Sequence, residues 1–306
     1  MLTSVINKVS NGATSVWEYF TEERTNREEF TLEIILPGLF VFLFIVLPVL
    51  LMVLWSFWTY DTEAGRFVME FTLQNYISFV SEGRYPAVVR TLQNALVTVF
   101  FTNILAYPAA YAIYRFIDED RQLPVLMILV IPFIVNRLLR IWALTFLLSN
   151  GGAMNQFLFF IEPISVWLYT SWSVYLGLVL NSLPIAIMLI WLSLGRIDED
   201  LLQASYDLGA SPFYTFRRVT LPLSKTGLAA SSMLIFVFVM GTTAIPSFMG
   251  GPASQTTGSM ISSLFRVLRL DLAGATAIIT LVIIFLVLTI GQYFGDVLTV
   301  FEEIES

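Results

Sequence analysis

With no histidine and no cysteine among its 306 residues, this chain has neither imidazole nor thiol for chemistry. Disulfides, thiolate nucleophiles, imidazole metal sites and a Ser-His-Asp triad are excluded. Lys225-Thr226 ends like a phosphate-binding loop, but that loop needs glycine where Val219 and Ser224 stand. Three groups of side chains remain that could bind or transmit force. One is the polar stretch from Asp198-Glu199-Asp200 to Leu221-Pro222, punctuated by Gly209. The second is a pair of cations, Arg137 and Arg140, one helical turn apart. The third is a scatter of amides, hydroxyls and aromatic rings inside apolar runs: Asn94, Asn103, Asn136, Asn181, Tyr107, Trp142, Thr242 and Thr243. Buried amides of this kind glue helices together or line a pathway.

The elements that carry these groups must lie in lipid. The chain is 57% hydrophobic and only 13% charged, with mean hydropathy +0.78, against about 25% charged in a soluble domain. Net charge is −7, yet the acids are confined to tails and loops. Segments 86–117, 122–161, 208–270 and 272–295 contain none, as expected where a carboxylate costs roughly 2.5–3.5 kcal/mol to insert. Apolar runs near 34–58, 91–116, 123–148, 168–194, 228–249 and 272–294 each exceed the ~20 residues that cross a bilayer. Unpaired backbone groups are untenable there, so the pattern predicts an all-α membrane protein with six transmembrane helices. The first run reads as a retained signal anchor rather than a cleavable signal peptide. Residues 1–33 carry Leu2, Val5, Ile6, Val9, Val16 and Trp17 at helical spacing. They form either an interfacial helix or a segment packed on the bundle. Pro108, Pro132, Pro184 and Pro246 are expected to kink spans.

In the polar stretch, three acids at a helix N-terminus complement its dipole. Gly209 supplies a residue able to turn left-handed after one short helix. A short helix ended in this way is a rigid knob that fits a groove on another protein. The spacing Gln203-Ala204-Ser205, three residues, Gly209, nine residues, Val219-Thr220-Leu221-Pro222 resembles the cytoplasmic coupling loop of ATP-binding-cassette (ABC) importer permeases. Arg90-Thr91-Leu92-Gln93-Asn94-Ala95-Leu96, Ala106-Tyr107-Pro108-Ala109-Ala110-Tyr111, Ile131-Pro132-Phe133 with Asn136, Arg140 and Ile141, and Phe248-Met249-Gly250-Gly251-Pro252 extend the resemblance to the first permease subunit of polyamine importers. It covers roughly residues 88–295.

The resemblance implies a type I ABC importer permease fold. Its parts are an N-terminal cytoplasmic segment 1–33, a first helix and outer loop 34–87, a core 88–295 with its coupling loop at 195–227, and an acidic tail 296–306. It implies a non-catalytic subunit of the inner (plasma) membrane, both termini cytoplasmic, with no cofactor of its own, no metal and no nucleic-acid partner. ATP is bound by two partner ATPases, a second permease completes the pathway, and an extracytoplasmic solute-binding protein delivers the solute. Nine Lys or Arg then lie inside and seven outside, a thin positive-inside margin. Contact with the ATPase is expected from Asp200, Gln203, Ala204, Ser205, Asp207, Leu208, Gly209, Ala210, Phe213, Arg217, Leu221 and Pro222. Gln203 and Ser205 depart from the family's Glu and Ala, and Gln203 removes a charge-assisted contact. The pathway residues expected are Asn94, Tyr107, Asn136, Arg137, Arg140, Trp142, Asn181, Thr242 and Thr243.

The resemblance implies a polyamine as solute, and the residues dispute it. A polycation wants carboxylates or aromatic faces; the spans offer aromatics but no carboxylate. Arg137 and Arg140, expected near the outer end of the third span, suit an anion or an acid on another subunit, or else snorkel to the interface. Either the second permease supplies the acids or the solute is not a polyamine. An ion-coupled transporter or channel would need an intramembrane carboxylate, which is missing.

Overall fold

A computed structural model describes residues 35–61, 65–134, 136–149, 151–154, 168–251 and 254–295. The expectations placed on 1–33 and on the tail 296–306 lie outside them. By compactness the chain divides into residues 1–55 and 56–306. The described part of the first unit lies in one helix, α1 (Ile35–Ser56), of mean hydropathy 2.9. It contains a π-helical turn at Phe42–Val46, closed by the Leu47 N–H donating to Phe42 O. Pro48 follows immediately. Proline offers no N–H and crowds the carbonyl four residues back, which widens the preceding turn.

The second unit opens with a two-stranded antiparallel ribbon, β1 (Thr59–Asp61) and β2 (Arg66–Val68), with Tyr60 opposite Phe67. The segment expected as the first outer loop therefore holds a short β-ribbon and the helix α2 (Gln74–Ser81) rather than an open loop. The core is a triangle of α3 (Tyr85–Phe116), α6 (Ser171–Leu194) and α9 (Lys225–Gly241). Small residues let these backbones approach: Ala95, Ala106 and Ala110 on α3 and Ala186 on α6 are fully buried. At Gly227 an added Cβ would sit 2.3 Å from Ser193 Cβ. Ile187, Ile190, Ile235 and Met240 fill the space between. Asn103 is glue, not pathway. Its amide donates to Ser232 Oγ at 2.8 Å and accepts from Ser231 Oγ at 2.7 Å. On the far flank α12 (Leu270–Gly295) packs against α9, α2 and α11 (Thr257–Arg266).

Among the described residues four helices are long and apolar enough to cross a membrane: α1, α3, α6 and α12. A fifth span arises if the bent pair Pro212–Leu223 and Lys225–Gly241 counts as one. The six-span expectation differs at the third run. That run is divided into α4 (Glu119–Ile134) and α5 (Arg137–Leu148), neither long enough alone. The cause is local: Asn136 adopts φ −50°, ψ 129°, outside helical space, and its side chain accepts the Leu138 N–H, an N-cap that starts a new helix. The fifth run is shortened as well. Helix α9 stops at Gly241, Thr242 is extended, and α10 (Ala244–Met249) follows.

Candidate functional site

The expected knob forms from local chemistry. Asp198 caps α7 (Glu199–Asp207) by accepting the Asp200 N–H, and Glu199 and Asp200 occupy its first turn, where acids are favoured by the helix dipole. At the other end Gly209 takes φ +80°. Its N–H donates to Tyr206 O at 2.8 Å and the Ala210 N–H donates to Ser205 O at 3.1 Å, the paired bonds of a Schellman ending. Ser211 then caps α8 (Pro212–Leu223) by accepting the Tyr214 N–H.

Helices α7 and α8 pack against each other, and Leu202 is buried. The hydroxyls of Ser205 and buried Thr215 meet at 2.9 Å. Serine at 205 therefore has a structural partner of its own. Outward stand Gln203, Ala204, Asp207, Arg217 and Pro222, with Leu208 89% exposed and Phe213 72% exposed. Ala210 and Leu221 are half-buried.

The expected break at Leu221-Pro222 falls elsewhere. Phe216–Thr220 forms a π-helical turn, with the Leu221 N–H donating to Phe216 O. Helix then continues through Leu223, and the chain bends by 58° at Ser224. Ser224 Oγ donates to Thr220 O at 2.8 Å and lies 2.6 Å from the Tyr107 hydroxyl. Phe216 stands edge-on to Tyr107 and Tyr111, with ring centroids 5.8 and 5.2 Å away. Beside it a groove of about 850 Å³ is lined by Tyr107, Tyr111, Arg115, Tyr206 and Phe213. Tyr107 thus ties α3 to the bend.

A second site brings together four of the nine expected pathway residues. Asn136, Arg137, Arg140 and Asn181 line one cavity of about 460 Å³, closed by Val130, Phe133, Pro184, Ile185, Met188 and Phe238. Asn181 and Pro184 are the eleventh and fourteenth of the 24 residues of α6. The arginines therefore stand level with the middle of a spanning helix, not at its outer margin. Arg137 Cζ lies 4.7 Å from the Phe238 ring centroid and Arg140 Cζ 4.2 Å from that of Phe133, cation–π distances. Among the described residues neither arginine has an ion-pair partner, and Arg140 Nε is buried with no hydrogen-bond partner.

The other five expected pathway residues do not line this cavity. Asn94 and Thr242 are buried, Trp142 is exposed on α5, Thr243 is half-buried, and Tyr107 lines the groove beside Phe216. Sequence reasoning missed Ile185, Met188 and Phe238. The first two had a signal: 181, 184, 185 and 188 follow the i, i+3, i+4, i+7 rule for one helix face. Phe238 had none, because it arrives from a different helix.

A helical membrane core carrying an exposed polar knob and a charged mid-depth cavity defines a membrane subunit of a transporter. The model of binding-protein-dependent transport system inner membrane components matches residues 103–298, and the chain belongs to that family. It is 34% identical over 246 residues to the spermidine/putrescine transport system permease protein PotB of Escherichia coli (strain K12), covering 79% of this chain and 88% of that one. The inner membrane ABC transporter permease protein YdcU of the same organism is 28% identical over 284 residues, 85% of this chain and 91% of its own. Among solved structures, a chain of a bacterial alginate ABC transporter in complex with an alginate pentasaccharide-bound periplasmic protein superposes with TM-score 0.72. It is 15% identical and covers 89% of this chain and 95% of that one. This likeness establishes the type I permease fold. The chain is accordingly a multi-pass inner-membrane transport component.

Proposed function

We propose that this chain is a permease subunit of an ATP-driven polyamine importer, forming the solute pathway with a second permease. One of two cytoplasmic ATPases docks on the α7–α8 knob, an extracytoplasmic binding protein delivers the solute, and both termini are cytoplasmic. This chain binds no ATP and performs no covalent chemistry. The observation that carries the reading is the capped, Gly209-terminated α7 with Leu208 and Phe213 held outward. The 34% identity to a spermidine/putrescine permease supports the solute class.

Purification of the tagged chain in mild detergent should recover an ABC ATPase in stoichiometric amount. Gly209→Pro should abolish solute-stimulated ATP hydrolysis with membrane insertion intact, because φ +80° is closed to proline. Recovery of no ATPase, or normal coupling in that variant, overturns the reading.

A second reading of the same machine is favoured by one observation. Arg137 and Arg140 share a cavity in which no described carboxylate answers them, which suits a small anion or another metabolite as cargo. Titration of putrescine, spermidine and small organic acids against the cognate binding protein separates the two readings.

A further inference from the structure

We propose that the cavity walled by Arg137 and Arg140 is a carboxylate-binding site. The inference rests on reading the chain as a membrane permease and deepens it by naming the ligand class that this cavity takes. Two guanidinium groups stand in one largely apolar-walled depression of about 460 Å³, level with the middle of α6, where Arg137 is exposed and Arg140 half-buried, and they repel each other. A charge in that setting is costly unless it is paired, and among the described residues no acid pairs with either. The rings of Phe133 and Phe238 fix where the two forks lie. They leave donor edges to point elsewhere, and Arg140 Nε is buried and unsatisfied. Planar forks of donors match a carboxylate in bidentate fashion.

The surroundings agree in sign. Both arginines stand in the first turn of α5, where the helix dipole is positive. Asn136 and Asn181 add amides to the same wall. The remaining walls (Val130, Ile185 and Met188) are apolar and suit a short aliphatic chain behind the carboxylate better than a hydrated multivalent oxyanion. An ammonium group is repelled from this position. The carboxylate is therefore either that of a solute in transit or that of an acidic side chain of the second permease.

The test uses the complete transporter in lipid nanodiscs, as wild type, as R140K and as the R137Q/R140Q double variant. Thermal unfolding is followed with succinate, 5-aminopentanoate, putrescine and inorganic phosphate at constant ionic strength. If the carboxylate is the solute's, succinate and 5-aminopentanoate raise the midpoint. R140K, which keeps the charge but loses the fork, then needs about tenfold more probe, the loss expected for one charge-assisted hydrogen bond, and the double variant does not respond. If the carboxylate belongs to the second permease, no probe acts, and the double variant sheds that subunit on detergent extraction while R140K retains it. The proposal is overturned if the double variant assembles and responds like wild type, or if what it abolishes is a response to putrescine or phosphate. Solute-coupled ATP hydrolysis in the same preparations tests the permease reading separately: intact coupling beside an unchanged double variant sinks the site alone.

Discussion

Gly209 and Gly227 are both glycines, and the structure asks opposite things of them. Nothing lies within 4 Å of where a Cβ would stand at Gly209, but its φ is +80°. Its demand is conformational, and alanine there costs about 1 kcal/mol in backbone strain. Gly227 has ordinary backbone, but a Cβ would stand 2.3 Å from Ser193 Cβ and 2.9 Å from Leu189 O. Its demand is steric, and overpacking of this kind costs roughly 1–3 kcal/mol. Gly227→Ala should therefore lower the unfolding temperature of the purified complex, whereas Gly209→Ala should leave it near wild type and reduce coupled ATP hydrolysis. Equal thermal losses would mean that Gly209 is a packing glycine. The role of Gly209 was legible in the sequence because a left-handed helix ending is a local event, set by a few neighbouring residues. That of Gly227 was not, since its neighbour comes from a different helix, 34 residues earlier.

At the scale of elements, the α7–α8 pair is held by a hydroxyl contact that the sequence presents only as a departure from the family pattern. Ser205→Ala strands the Thr215 hydroxyl, which is 1% exposed, and should destabilise the knob by about 1–3 kcal/mol. Ser205→Ala combined with Thr215→Val removes both partners and should recover most of that loss. Hydrogen exchange of amides 199–215 reads the difference, and a double variant no better protected than the single one contradicts the pairing. Helix existence was legible wherever apolar runs were long. Helix continuity was not: the 123–148 run has the composition of one span, yet Asn136 caps a new helix inside it. An asparagine ahead of Arg137 was the available signal, masked by hydropathy on both sides. Leu-Pro likewise reads as a break, yet Leu47-Pro48 and Leu221-Pro222 each close a π-helical turn within continuing helix.

Across the whole molecule the cavity could not be read from the chain, because its walls come from α4, α5, α6 and α9 and meet only on folding. The orientation in the bilayer, by contrast, is a prediction the sequence makes easy to check. The chain has no cysteine, so single introduced thiols report without background. Gln203→Cys, on the exposed face of α7, should react with a membrane-impermeant maleimide only in inverted vesicles. Ser262→Cys, exposed on α11, should react in intact spheroplasts. The reverse pattern would place the knob on the wrong side of the membrane for any nucleotide-driven partner.

The 58° bend at Ser224 makes a crank of α8 and α9. At about 1.5 Å of rise per residue the arm Pro212–Leu223 is roughly 18 Å long and Lys225–Gly241 roughly 26 Å. If the elbow stays rigid, a push of about 2 Å on the short arm swings the far end of the long one by nearly 3 Å, the ratio of those two lengths. That far end carries Phe238, which lies against Arg137. Tyr107 is bonded to the elbow, so a displacement of the short arm would reach the cavity of Arg137 and Arg140 without any helix having to unwind.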